Sequence, residues 1–233
     1  MFTLLKTLTL ALPIGFFTMQ ATAAEFDTSK FSQITTVAIT GKGSRTVIIT
    51  DPTRTPGVTI KDEGASSFLC SMGAELRQND GVLTVDVQQT GISLGFQCDL
   101  TVELVLPQAV AVTVDQPLAV LDFTGAFTDV AINVPKVTIN LAGTARRFDV
   151  KADMGLVNAV FAVSPQAAPQ IDINVAKLVA DIGYTEGLGL DYTVSAPIAV
   201  FSHSYPVTKG GKGRLHITSS LLKGSVYPVS AAP

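Results

Sequence analysis

Six segments in the C-terminal half align on Asp115, Asn133, Lys151, Asn174, Ser195 and Thr218. The residue before each is apolar: Val114, Ile132, Val150, Ile173, Val194 and Ile217. Three positions before each stand Val112, Val130, Phe148, Ile171, Tyr192 and Leu215. The residues in between, Thr113, Ala131, Asp149, Asp172, Thr193 and His216, are polar or small. Side chains on a strand alternate between faces, so the pattern predicts six short strands with one face buried. Seven residues further on, Asp122, Asn140, Asn158, Asp181, Ser202 and Ser225 mark a second arm. Its flanking residues are mostly apolar, although His203 and Gly224 take inward positions in the last two units.

The units are separated by 18, 18, 23, 21 and 23 residues. Unequal spacing excludes an exact hexapeptide-type repeat and fits an irregular β-solenoid, whose outer loops vary while its buried strands stay in register. The fold expected is all-β: an irregular right-handed parallel β-solenoid of about six coils, preceded by a short-stranded β region. Strands spaced ~4.8 Å apart would make a rod on the order of 25–30 Å long. An antiparallel sandwich shares the alternation but gives no reason for the fixed seven-residue offset.

The preceding region carries short strand patterns at 37–40, 46–50, 57–60, 82–87 and 100–107, with Asn79-Asp80-Gly81 a strong turn signal. Residues between Asp62 and Arg77 read as a helical or irregular insert. Residues 1–23 have the form of a secretory signal peptide: Lys6, a short apolar run containing Pro13, then Ala21-Thr22-Ala23. The expected organisation is therefore a leader at 1–23, then one continuous unit made of a β region with a disulfide-stapled insert at 24–108 and solenoid coils with a C-terminal cap at 109–233. No later apolar run is long enough to span a membrane.

Removing Lys6 leaves 15 of the 16 basic side chains against 19 acidic ones, a net charge of −4. That balance suits neither a nucleic acid nor another polyanion as partner. Abundant Val, Ile and Thr favours strand over helix. In an exported chain, Cys70 and Cys98 most simply form one disulfide. Closing that loop would stabilise the fold by ~3–4 kcal/mol in the chain-entropy model.

The stretches FSQITTVAIT (31–40), PGVTI (56–60), NDGVLTV (79–85) and CDLTVELVLP (98–107), followed by stacked short repeats, resemble the exported "putative adhesin" families of unknown function that include the head-GIN-type domain. The resemblance implies an envelope or surface role and brings no catalytic residues with it.

Chemistry is sparse. Gly41–Thr46 and Lys209–Arg214 lack the spacing of a phosphate-binding loop and read as hairpin tips. No nucleophile elbow occurs, and His203 and His216 have no serine-carboxylate partner at a recognisable spacing. His203 is expected at the end of the stack and His216 on the solvated row. The candidate site is the outer face, where Asp149 and Asp172 share a row on consecutive coils with Lys151 and Asn174 beside them and His216 further along. Lys151 would neutralise the carboxylates; calcium is the alternative, although glycine-aspartate repeats are absent. No cofactor is implied.

Three functions follow. The leading one is a non-enzymatic exported binding module for an envelope or surface component, glycan or protein. The second is a carbohydrate-active enzyme using Asp149, Asp172 or Asp181. The third is a self-associating structural subunit, with the N-terminal region and the tail SLLKGSVYPV as caps.

Overall fold

The computed structural model describes residues 28–62, 71–90, 100–162 and 168–230. The leader, Cys70 and Cys98 lie outside the described residues. After a 3₁₀ turn at Thr28–Gln33, the N-terminal half forms β1 (Thr36–Gly41), β2 (Ser44–Thr50), β3 (Gly57–Asp62), β4 (Ser71–Asn79), β5 (Val82–Thr90) and β6 (Leu100–Leu106). Next come β7 (Val110–Val114), β8 (Leu118–Asn133), β9 (Lys136–Phe161) and β10 (Gln170–Thr185). The chain ends with β11 (Leu190–Ser195), β12 (Ile198–His203), β13 (Gly213–Thr218) and β14 (Leu221–Val229). The protein is all-β, and its sheet is mostly parallel.

Two ladders run side by side. The first has the order β11-β13-β10-β9-β8-β7-β1-β5-β4. The second runs β12-β14-β10-β9-β8-β2-β6-β3. The long strands β8, β9 and β10 contribute to both. Among the described residues, the antiparallel pairs are β3 with β6 and β4 with β5, at the N-terminal end. The β4–β5 pair turns at Asp80 (φ 47°) and Gly81 (φ 77°), where two successive left-handed residues make the tight hairpin the sequence predicts. The expected helical or irregular insert is corrected in its second half, since Ser71–Asn79 pairs along the whole of β5.

In-register stacking builds the core. Leu83, Val37, Val112, Val130, Phe148, Ile171, Leu215 and Tyr192 form one inward column, each the register partner of the next. All eight are buried. A parallel column on the second ladder includes Leu104, Ile48, Phe123, Leu141, Ala159, Ile182 and Val226, all buried, and ends at His203. Phe148 of the first ladder meets Phe161 of the second edge to face, with ring centroids 5.6 Å apart, a favoured geometry for buried aromatics. A single strand cannot bury its apolar face alone, so the two inward faces make one continuous core.

Corners between the ladders are built from hydrogen bonds. Gln116 is 2% exposed. Its Nε2 donates to Lys42 O at 2.6 Å, and its Oε1 accepts from Ser44 Oγ at 3.3 Å. Burying an amide is favourable only when its groups find partners, and Gln116 finds them across the β1–β2 corner. Gly41–Thr46 is therefore a bend between ladders, not the expected hairpin tip, because β1 and β2 pair with different strands. Lys209–Arg214 is corrected in the same way: it leads into β13, which pairs with β10 and β11 and not with the preceding β12.

Spatial order departs from sequence order after β10. The chain runs to β11 and β12 first, then returns to place β13 between β10 and β11 and β14 between β10 and β12. The tail expected as a cap is thus an interior layer. Aromatic packing anchors this return. Tyr192 Oη donates to Tyr205 O at 2.9 Å, and the Tyr205 hydroxyl lies against the carbonyls of Thr185 and Leu188. Tyr184 packs edge to face on Tyr205 at 5.5 Å. Burial, with a smaller contribution from Tyr205, pushes the Tyr184 phenol up to about 12.

Candidate functional site

The outward face of the first ladder gathers the polar residues of β8, β9, β10, β13 and β11. Strand alternation sets them there, because each is flanked by residues of the buried columns. Register places Asp149 opposite Asp172, and Asp172 opposite His216. Asn174 is two residues along β10 from Asp172, between Lys151 and Thr218. All four residues singled out from the sequence thus share one face across three adjacent strands.

Like charges directly opposite on neighbouring strands are unfavourable unless compensated. Arg147, and not Lys151, compensates Asp149; the His216 imidazole compensates Asp172 only in its protonated form. Arg147 Nη2 lies 3.3 Å from Asp149 Oδ2, and His216 Nδ1 lies 4.0 Å from Asp172 Oδ2. Arg147 sits two residues before Asp149, and that spacing puts both side chains on one face of a strand; this was the signal available in the sequence. The His216 contact carried no such signal, because sequence order places Thr193 beside Asp172. The insertion of β13 moves Thr193 one strand away and brings His216 in.

Two rows flank this one. Asp129, Arg147, Gln170, Arg214 and Asp191 form the first by register. Asn133, Lys151, Asn174, Thr218 and Ser195 form the second. Arg146 reaches Asp129 at 2.7 Å from the edge of the face, and His216 Nε2 lies 3.4 Å from Thr218 Oγ1. The result is an exposed array of donors and acceptors repeating along the stack at the strand spacing of ~4.8 Å.

Asp181 stands apart. It belongs to the outward row of the second ladder, where Ser225 Oγ donates to its Oδ1 at 2.6 Å. That row continues through Asn158, Asn140 and Asp122. Asn140 Nδ2 donates to Asp122 Oδ1 at 2.7 Å, and Arg45 Nε donates to Asp122 Oδ2 at 2.9 Å. His203 is at the end of the stack, where its ring lies over Tyr192 (centroids 5.7 Å apart) and against Phe201. Among the described residues, no group of three or more His, Cys, Asp or Glu is arranged to hold a metal ion, and no helix is long and apolar enough to cross a membrane.

No family model and no curated protein sequence matches the chain. Two solved structures align with most of the chain. One is a "putative cell adhesion protein" from Clostridium sporogenes, with 7% identity, 84% of this chain and 93% of the other covered, and a TM-score of 0.48. The other is a "putative adhesin" from Parabacteroides merdae, with 11% identity, 84% and 92% covered, and a TM-score of 0.28.

Proposed function

We propose that the protein is an exported, non-enzymatic binding module, an irregular parallel β-solenoid that engages an envelope or surface component through the outward face of its first ladder. The observation that carries this reading is the row Asp149–Asp172–His216, flanked by Arg147, Gln170, Asn174 and Thr218 in register. Carboxylate, guanidinium, amide, imidazole and hydroxyl groups are the side chains that hydrogen-bond hydroxyl-rich ligands such as glycans. Three strands hold their backbone positions at fixed spacing, so a ligand meets them without rearrangement of the framework.

The hydrolytic reading needs carboxylates converging on one bond. Its three candidates divide between faces, with Asp149 and Asp172 on the first ladder and Asp181 hydrogen-bonded on the second. The division removes Asp181 from any such pair; Asp149 is ion-paired to Arg147 and Asp172 stands more than half exposed on an open strand face, which supports binding over hydrolysis.

Export and the Cys70–Cys98 disulfide belong to the same proposal. Cys70 directly precedes β4 and Cys98 lies two residues before β6, and those strands touch. Thiol titration of denatured, unreduced protein should find no free thiol; two free thiols would end the disulfide proposal. For the binding face, the test is a glycan and envelope-component screen, with and without calcium, comparing the native chain with an Asp172→Asn/His216→Ala variant. Loss of a specific hit in the variant supports the face. An unchanged hit places the contact elsewhere.

A further inference from the structure

At the β11–β12 end of the stack, no strand among the described residues covers the last layer. Among the described residues, β12 pairs only with β14. The outer edge of β11 is met, by the described residues, only at its start: by a parallel bridge of Leu190 to Val207 and by the Thr208 and Gly210 amides on Leu190 O and the Asp191 carboxylate. Two strand edges, one per ladder, therefore present unpaired backbone groups side by side. Between them lies a recess of about 590 Å³ lined by Tyr192, Val194, Ala199, Phe201, His203 and Val207, with polar as well as apolar surface. Ala199 and Phe201 are register partners of Leu222 and Gly224. They hold inward positions that, in every interior layer, the next strand covers.

The side chains beside the recess are also uncovered. Ile198 is 64% exposed, Val200 74% and Val207 52%. Natural sheet edges are defended by charges, proline or bulges. At the opposite end of the stack, Lys61 on β3 and Glu75 and Arg77 on β4 supply such charges. The sequence of β12, IAVFSH, has no acid, lysine, arginine or proline.

We propose that this end is a homodimer interface, in which β11 and β12 pair antiparallel with β11 and β12 of a second copy. An extended peptide would satisfy one edge and leave the other bare. A second copy carries both edges at the same separation, and a two-fold axis perpendicular to the stack continues both ladders at once. Charge allows the contact: β12 brings no carboxylate or ammonium, and Asp191 is the only acid of β11. In an antiparallel pairing centred on Thr193, Asp191 meets Ser195 and not another acid. Its carboxylate already accepts from the Gly210 amide at 3.1 Å.

The test is sedimentation equilibrium of the chain lacking residues 1–23, combined with hydrogen exchange of β12 at high and low protein concentration. The expected result is a dimer that dissociates on dilution, with β12 amides protected only while it persists. Val200→Lys brings an ammonium group from each copy to the paired β12 edges and should raise the dissociation constant at least tenfold. Its thermal midpoint at monomeric concentrations should be unchanged, because Val200 is exposed. A monomer at every concentration overturns the proposal. So does a dimer in which β12 exchange is independent of concentration, since its interface lies elsewhere.

Discussion

His216 stands beside Asp172, Nδ1 to Oδ2 4.0 Å, because β13 inserts between β10 and β11. Both side chains are more than half exposed. An exposed pair of this kind contributes little to stability, because solvent screens it and ordering two side chains offsets the attraction. Asp172→Asn and His216→Ala should each change unfolding free energy by less than about 0.5 kcal/mol, measured by urea denaturation. A larger loss would give the row a structural role.

Gln116 should behave in the opposite way. Replacement by methionine keeps the length but removes the donor to Lys42 O and the acceptor for Ser44 Oγ. Ser44 Oγ keeps Thr46 Oγ1 as a partner, but the Lys42 and Thr40 carbonyls lose their Gln116 donor, and leaving a part-buried acceptor unpaired costs about 1–3 kcal/mol. Urea unfolding of Gln116→Met should show that loss with an unchanged slope.

Gly213 begins β13 beneath Tyr184. A Cβ there would collide with the Tyr184 hydroxyl and crowd its ring. Gly213→Ala should therefore destabilise by roughly 1–3 kcal/mol, the range for overpacked sites. Tyr184→Phe should recover part of the loss, with a coupling of at least ~0.5 kcal/mol in a double-mutant cycle. Additive effects would mean that β13 does not pack under Tyr184.

The same tyrosines set an alkaline limit. Burial raises the folded-state value of Tyr184 from 10.0 to about 12, and raises Tyr192 and Tyr205 as well. In this window the unfolded chain gives up phenol protons first, so folding holds more protons than unfolding. The stability involved is fully present below pH 10 and is lost as pH rises toward about 12. Tyrosinate absorbance and circular dichroism should change together in that range. Titration of Tyr184, Tyr192 and Tyr205 in the ordinary phenol range without loss of structure would contradict it.

The column Val112, Val130, Phe148, Ile171 was legible in the sequence because alternation repeats whenever a strand buries one face. The outward position of Asp149 and Asp172 followed from it. What alternation cannot encode is which strand lies next to which. Ile217 and Val194 fit an inward column equally well, so nothing local shows that β13 precedes β11 in space. The cue lay elsewhere: Gly213 is small enough to pass under Tyr184, and Tyr205 anchors the return. Arg147, compensating Asp149, was within reach of the same alternation. The Gln116 corner was less so, because its partners are backbone carbonyls distant in sequence.

The central claim is that the outward row of the first ladder is a ligand-binding surface on a framework that tolerates its removal. It is tested most directly by binding of the chain lacking residues 1–23 to an array of glycans and envelope components, beside Asp172→Asn/His216→Ala at equal folded concentration. The account predicts at least one specific ligand for the native chain and at least a tenfold loss of affinity in the variant, with urea unfolding unchanged. Equal affinity for the two proteins would contradict it.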